Sequence, residues 1–357
     1  MTIDDKIWTP ENMVFDSKKV KIPFEEKGGV ITLPKIYPLN LEDPSHKELR
    51  YSQTITNWLI THTTTRIEGE GIIGCGKTEA GEELKSLFPA LKTYKEKVDP
   101  DVFLTFYLDM DLHGKALQPY LGHERRKLNV TVGTFTSPSY KDRSPLADSR
   151  FARLLGMKED ERDLQILEDI IMSNPYRPQM MYFFDCSVDT ALARIKERAK
   201  EDPTRIFEIP GDHGILSPEK IASIGRGLHE LIHASKNYRD PKDHEQYISN
   251  IKKKGLPSTF ISQGVSKEYL EALSNEYSKF GDLCRKFKQR NVLATIDVNN
   301  IDFKDPRYRL ALVYALKVGK CLELMRDGFT IEENKTDGYF RLTSPYETAK
   351  EFRPEYQ

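Results

Sequence analysis

Two short apolar runs stand out in a chain that is otherwise punctuated by charge and proline. Met180, Met181, Tyr182, Phe183 and Phe184 form a continuous apolar stretch, and Ser187 then offers a cap for a helix running through Arg194 and Arg198. Residues 292–298 repeat this grammar, followed after Pro306 by an apolar helix over residues 310–325. A strand that leads directly into a helix predicts an α/β fold. Leu164, Leu167, Ile170 and Ile171 mark an amphipathic helix ending near Asn174 and Pro175. Residues 118–128 are charged and helix-like despite Gly114, Pro119 and Gly122 nearby, and residues 130–140 hold a short strand limited by Pro138.

The ends and one internal segment lack such periods. Residues 1 to about 50 carry Pro10, Pro23, Pro34, Pro38 and Pro44 and predict an extended arm lying on a surface. Residues 327–357 predict a second arm. Residues 205–264 are rich in charge, Gly and Pro, with one helix starting at Ser217 and Pro218, and read as an insertion. Domain boundaries follow: an N-terminal arm over 1–60, a body over 61–326 and a C-terminal arm over 327–357.

Composition changes this picture little. The 357 residues suffice for a large core, and 54 basic against 55 acidic residues give a formal charge of −1, so no global field favours a nucleic acid. Cys75, Cys186, Cys284 and Cys321 are far apart, which fits buried thiols in a reducing compartment. No run reaches the roughly 20 apolar residues of a membrane helix. The start, Met1 to Asp5, is acidic and is neither a secretory signal nor an Arg-rich transit peptide. A soluble intracellular protein is expected.

The chemistry concentrates at Gly71, Ile72, Ile73, Gly74, Cys75, Gly76, Lys77 and Thr78, which satisfy the phosphate-binding spacing G-x-x-x-x-G-K-[ST]. Gly71, Gly74 and Gly76 let successive N–H groups face a phosphate, Lys77 can reach its outer oxygens, and the Thr78 hydroxyl can hold Mg²⁺. ATP and Mg²⁺ are the expected ligands. Downstream, residues 79–87 form the required helix. Upstream the pattern is unexpected, because residues 62–68 are strongly polar where such a loop normally follows a buried apolar strand. A second motif, His229, Glu230 and His233, fits the H-E-x-x-H spacing of a zinc hydrolase, with His244 and Glu245 as the nearby candidates for a further ligand.

In their order along the chain, these residues and several others resemble the deoxyribonucleoside kinase family. The family's E-G-x-x-G-x-G-K-[ST] matches Glu70 through Thr78; its E-P-V resembles Glu96, Lys97 and Val98; its Q-x(6)-R matches Gln118 and Arg125; its [DE]-R-S matches Asp142, Arg143 and Ser144. The resemblance implies a three-layer P-loop fold with a five-stranded parallel sheet. It also implies roles. Glu96 would accept the proton of a nucleoside 5′-hydroxyl, Gln118 would read the base beside an Arg125–Asp148 pair, and Tyr107 would meet the sugar. Arg143, Arg194 and Arg198 would surround the transferred phosphoryl, Asp142 would assist Thr78 with Mg²⁺, and Phe303 would lie in the loop over the adenine.

Plain alternatives stand beside these roles: Glu96 as one carboxylate in a Lys-rich turn, Arg125 within a solvated charge run, and Arg194 with Arg198 as an exposed helix face. The implied activity is ATP-dependent phosphorylation of a deoxynucleoside, cytosine or purine type favoured, by an enzyme that is a homodimer in this reading. The alternative is a kinase-fold accessory subunit of mitochondrial respiratory complex I, docked through its two arms in the matrix or on the matrix side of the membrane.

Overall fold

The computed structural model describes residues 15–16, 19–20, 24–41, 46–96, 99–133, 136–144, 146–155, 179–238, 241–286, 291–334, 339–346 and 350–352. In chain order, short strands β1 (Phe15–Asp16) and β2 (Lys19–Val20) pair with each other, and β3 (Glu25–Lys27) and β4 (Val30–Thr32) form a hairpin. Helix α1 (His46–His62) leads into β5 (Arg66–Glu70), and the phosphate-binding loop then opens α2 (Lys77–Leu87). Next come β6 (Lys92–Tyr94), α3 (Pro100–Leu108), α4 (Met110–Gly133), β7 (Ser139–Asp142) and α5 (Leu146–Leu154). Strand β8 (Met180–Asp185) passes into α6 (Val188–Glu201), capped as expected by the Ser187 side chain, which accepts from the Thr190 N–H.

Seven strands make the central sheet, in the order β3-β4-β11-β8-β5-β7-β6, where β11 is Val292–Asp297. The strands β11-β8-β5-β7-β6 are all parallel, giving the five-stranded parallel sheet that the resemblance implied. Two more come from the segment read as an extended arm. Val30, Ile31, Leu33 and Ile36 are buried, and residues 31–36 run parallel to β11 with backbone bonds such as Leu33 N–H to Leu293 O at 2.9 Å. Gly28 and Gly29 both have positive φ, which the tight turn between β3 and β4 requires. The open edge of β11 is thereby paired rather than exposed. The rest of the predicted N-terminal arm also differs: α1 buries Tyr51, Ser52, Ile55, Thr56, Leu59 and Ile60, a helical stripe hidden among threonines.

Residues 205–264 form structure as well. A short 3-10 turn over Pro203–Glu208 precedes β9 (Gly211–Ile215), which pairs antiparallel with β10 (Thr259–Ser262). Between them α7 (Pro218–Tyr238) and α8 (Pro241–Lys254) pack against α3 and α4. Contact is close at Gly227, where any Cβ would lie 2.2 Å from Asp101 O. Helices α9 (Lys267–Tyr277) and α10 (Phe280–Lys286) return to the sheet. The final helix, α11 (Pro306–Arg326), is buried along nearly its whole length, because α1 covers it and residues read as a C-terminal arm fold beside it. Those residues form a three-stranded antiparallel sheet of β12 (Thr330–Asn334), β13 (Tyr339–Thr343) and β14 (Lys350–Phe352). The amphipathic helix expected around Leu164 to Ile171 lies outside the described residues. No helix among the described residues is long and apolar enough to cross a membrane.

Strand β5 resolves the polar stretch before the phosphate loop. It is the middle of the five parallel strands β11-β8-β5-β7-β6, and Glu68 and Glu70 are both fully buried. Each has a partner: Glu68 lies 2.7 Å from Lys141 Nζ, whereas Glu70 accepts from the Ser144 N–H and from the Tyr277 hydroxyl at 3.1 Å. Burial raises both carboxyls, Glu68 to about 7. A strand of this polarity is central because its charges are met from neighbouring elements.

Candidate active site

The phosphate-binding loop joins the end of β5 to α2. Gly71, Gly74 and Gly76 have φ of 138°, 82° and 93°, a region open to glycine, and a Cβ on Gly76 would stand 2.1 Å from the Phe303 ring. Lys77 is buried, and its ammonium donates to Gly71 O at 3.1 Å, Ile72 O at 2.8 Å and Cys75 Sγ at 3.3 Å. Tyr140 supports the loop from below, giving its hydroxyl proton to Lys77 O at 2.7 Å and filling the space above Gly81. The Thr78 hydroxyl donates to Asp142 Oδ2 at 2.7 Å. Asp142 Oδ1 is buried and takes no hydrogen bond among the described residues. A hydroxyl beside a half-satisfied carboxylate suits a hard, oxygen-loving cation such as Mg²⁺.

A cavity of about 800 Å³ opens over this loop, and Thr78, Asp142, Glu96, Tyr107, Gln118, Arg125, Arg143, Arg194, Arg198 and Phe303 all line it. Glu96 is gripped from two sides. Arg125 donates to Oε1, at 2.7 Å from Nε, and Arg143 Nε stands 3.3 Å from Oε2. Burial alone would raise this carboxyl, but the two guanidiniums hold it below the usual carboxylate range. Glu96 is therefore a charged acceptor at the cavity wall rather than a solvated surface group. Its neighbours Lys97 and Val98 lie outside the described residues.

Arg143 is one of two non-glycine residues with positive φ among those described, at 73°. The turn is fixed by its N–H on Gly69 O and by its guanidinium 4.6 Å above the Phe151 ring. Gln118 is fully enclosed on α4, and its Oε1 has no hydrogen-bond partner among the described residues, an acceptor left for a ligand. Phe103, Phe106, Leu117 and Leu121 supply flat apolar walls beside it. Tyr107 is buried against Phe106 and Phe207, which pushes its hydroxyl well above the usual range and keeps it a proton donor. Asp148, expected to pair with Arg125, lies on α5, and its side chain is outside the described residues.

On the opposite wall, Arg194 donates to Val298 O at 2.8 Å and lies 4.5 Å over the Phe303 ring, while Phe303 covers Gly76. Arg198 donates to Glu208 Oε2 at 2.6 Å, and Arg205 Nε reaches Glu208 Oε1 at 3.0 Å. Arg205 and Glu208 were missed in the sequence because both fall within the stretch read as insertion. The seven-residue step from Arg198 to Arg205 was their one signal. The zinc reading fails on geometry: His229 is 78% exposed on α7, and no group of three His, Cys, Asp or Glu among the described residues could hold a metal ion.

Residues 67–208 match the family model described as deoxynucleoside kinase. Among solved structures, the chain is similar to deoxyadenosine kinase from M. mycoides with bound dATP, at 17% identity, covering 69% of this chain and 96% of that one with a TM-score of 0.45. The form of that enzyme with the products dCMP and a flexible dCDP gives 15% identity, 71% and 100% coverage and a TM-score of 0.44. Thymidylate kinase from Ehrlichia chaffeensis gives 15% identity, 40% and 86% coverage and a TM-score of 0.25. A comparison with the sequences of curated proteins gives no match. The segment that matches the deoxynucleoside kinase model, residues 67–208, carries the phosphate loop, Glu96, Gln118 and the Asp142–Arg143 turn.

Proposed function

We propose that the protein transfers the γ-phosphoryl group of ATP to the 5′-hydroxyl of a deoxynucleoside. The observation that carries this reading is the Glu96 carboxylate, kept charged by Arg125 and Arg143 in the same cavity as Lys77, Thr78 and Asp142. Phosphoryl transfer asks for positioning and charge neutralisation more than covalent chemistry. The cavity supplies both.

In this reading the loop amides and Lys77 hold the ATP phosphates, Lys77 leaving its own loop carbonyls for phosphate oxygens. Thr78 and Asp142 are the residues that would hold Mg²⁺, whose bound charge would neutralise the phosphate oxygens. Phe303 and Arg194 form the adenine side. The nucleoside base lies between the aromatic walls, with Gln118 offering a donor and an acceptor in one plane; the preference for cytosine or a purine rests on the resemblance through Arg125 and Asp148. Glu96 takes the 5′-hydroxyl proton as the oxygen attacks, and Arg143 with Arg198 meets the developing charge. Tyr107, with Glu208 nearby, would receive the sugar.

The test is a radiolabelled transfer assay across the four deoxynucleosides, with Lys77→Ala as control. The expected result is transfer to at least one of them, abolished in the control. Absence of transfer to all four, together with no ATP binding by calorimetry, would sink the reading.

A further inference from the structure

Behind the cavity lies a pair of charges that the proposed chemistry does not use. Lys141, on β7 between Tyr140 and Asp142, and Glu68, on β5, are both fully buried and stand 2.7 Å apart. The Lys141 ammonium also donates to Asn129 Oδ1 on α4, and Asn129 is itself enclosed. One side chain thus joins three elements: the strand that delivers the phosphate loop, the strand that ends in Asp142 and Arg143, and the helix that carries Gln118 and Arg125. Asn129 follows Arg125 by about one helical turn, and the Arg125 charge acts on both members of the pair.

Stability gives little reason for this arrangement. Desolvating two charges offsets most of their attraction, and an apolar pair of similar volume at the centre of a sheet does as well or better. What an ammonium bonded to two elements adds is register. Apolar packing between a helix and a sheet tolerates small slides, whereas a buried ammonium that donates to Asn129 Oδ1 on α4 while paired in charge with Glu68 on β5 does not. Register matters here because the two halves of the site ride on different elements. The phosphate half sits on β5, β7 and α2, and the base half sits on α4.

We propose that Lys141, with Glu68 and Asn129, is a positioning device that holds α4, and so Gln118 and Arg125, in register with the phosphate-binding loop. Its catalytic consequence rests on the kinase reading; its mechanical consequence does not. In-line transfer is sensitive to this register, since a displacement of about 1 Å can cost on the order of 100-fold in rate.

Asn129→Leu is the discriminating variant, because it leaves the ion pair in place and removes only the link to α4. Asn129→Asp restores an acceptor for the ammonium. Asn129→Leu is expected to bind ATP with magnesium within about twofold of the unmodified protein, while KM for the deoxynucleoside rises about tenfold and kcat falls about tenfold. Asn129→Asp returns both to within about threefold. In hydrogen exchange, the amides of residues 118–129 open about tenfold faster in Asn129→Leu, whereas those of residues 77–87 do not change. The double variant Lys141→Met/Glu68→Gln, neutral throughout, reproduces that exchange pattern. Unchanged kinetics in Asn129→Leu, or exchange that rises equally in α2 and α4, overturns the proposal. Should the unmodified protein transfer no phosphoryl group, the kinase reading falls and the exchange measurement alone decides the tether.

Discussion

Gly76 is constrained twice, by a φ of 93° and by the Phe303 ring that a Cβ would meet at 2.1 Å. Gly76→Ala is expected to weaken ATP binding by about tenfold or more in calorimetry while leaving the circular dichroism of the fold in place. Glu96 gives a sharper test of chemistry. Glu96→Gln keeps the shape and one acceptor oxygen but cannot take a proton, so kcat should drop by about 100-fold or more with KM little changed. The pH dependence follows from the sign of its shift. The ionised form is the base, and the guanidiniums hold its carboxyl below 4.5, so kcat/KM should persist on acidification past 4.5. In Arg125→Gln, rates should fall and the acid limb should move to higher pH. The same depression stabilises the fold above the unfolded value and is lost as pH falls through the folded one.

Among the elements, the helices of the 205–264 segment show how a stretch without a clear sequence period acquires a place. Its α8 meets α4 where Tyr247 hydrogen-bonds the His113 ring at 2.9 Å. Burial lowers the His113 ring from 6.5 to about 4. A depressed histidine stabilises the fold above its unfolded value and gives that contribution up as pH falls toward its folded one. Acidification from 6.5 toward 4 should therefore cost up to about 3 kcal/mol at this site. His113→Phe, followed by thermal melts across that range, should flatten the slope; an unchanged slope would place the acid sensitivity elsewhere. Strand β5 teaches the converse. Its Glu68 and Glu70 read as unsuited to a central strand because their partners, Lys141, Ser144 and Tyr277, lie 73 or more residues away.

For the molecule as a whole, the described parts of both terminal segments close over the central body. Residues 31–36 pair with the edge of β11, and α1 with the C-terminal sheet encloses α11. Lys317 on α11 and Glu333 on β12 form a second fully buried ion pair at 2.6 Å. Lys317→Met leaves Glu333 buried without its counter-charge and should cost about 3–5 kcal/mol in denaturant unfolding, with much of the loss recovered in Lys317→Met/Glu333→Met. A small effect of the single variant would mean that the C-terminal sheet is not docked through this pair. These segments have work within the chain itself, as covers for the sheet edge and the final helix. A role as docking arms for a large assembly draws no specific support from that packing.

Glycine spacing, the apolar runs at 180–184 and 292–298 and the order of Glu96, Gln118, Arg125 and Arg143 are local or nearly local signals. The chain alone therefore set the phosphate loop, the α/β grammar and a part of the residues that line the cavity. Tertiary structure decided whatever depends on a partner distant in sequence: that a polar strand can stand in the middle of the parallel strands, that described parts of the Pro-punctuated ends become strands and a helix, and that Arg205 and Glu208 line the cavity. It also decided the ionic state of Glu96. A carboxylate's charge is set by the guanidiniums brought beside it, and only folding brings Arg125 and Arg143 there.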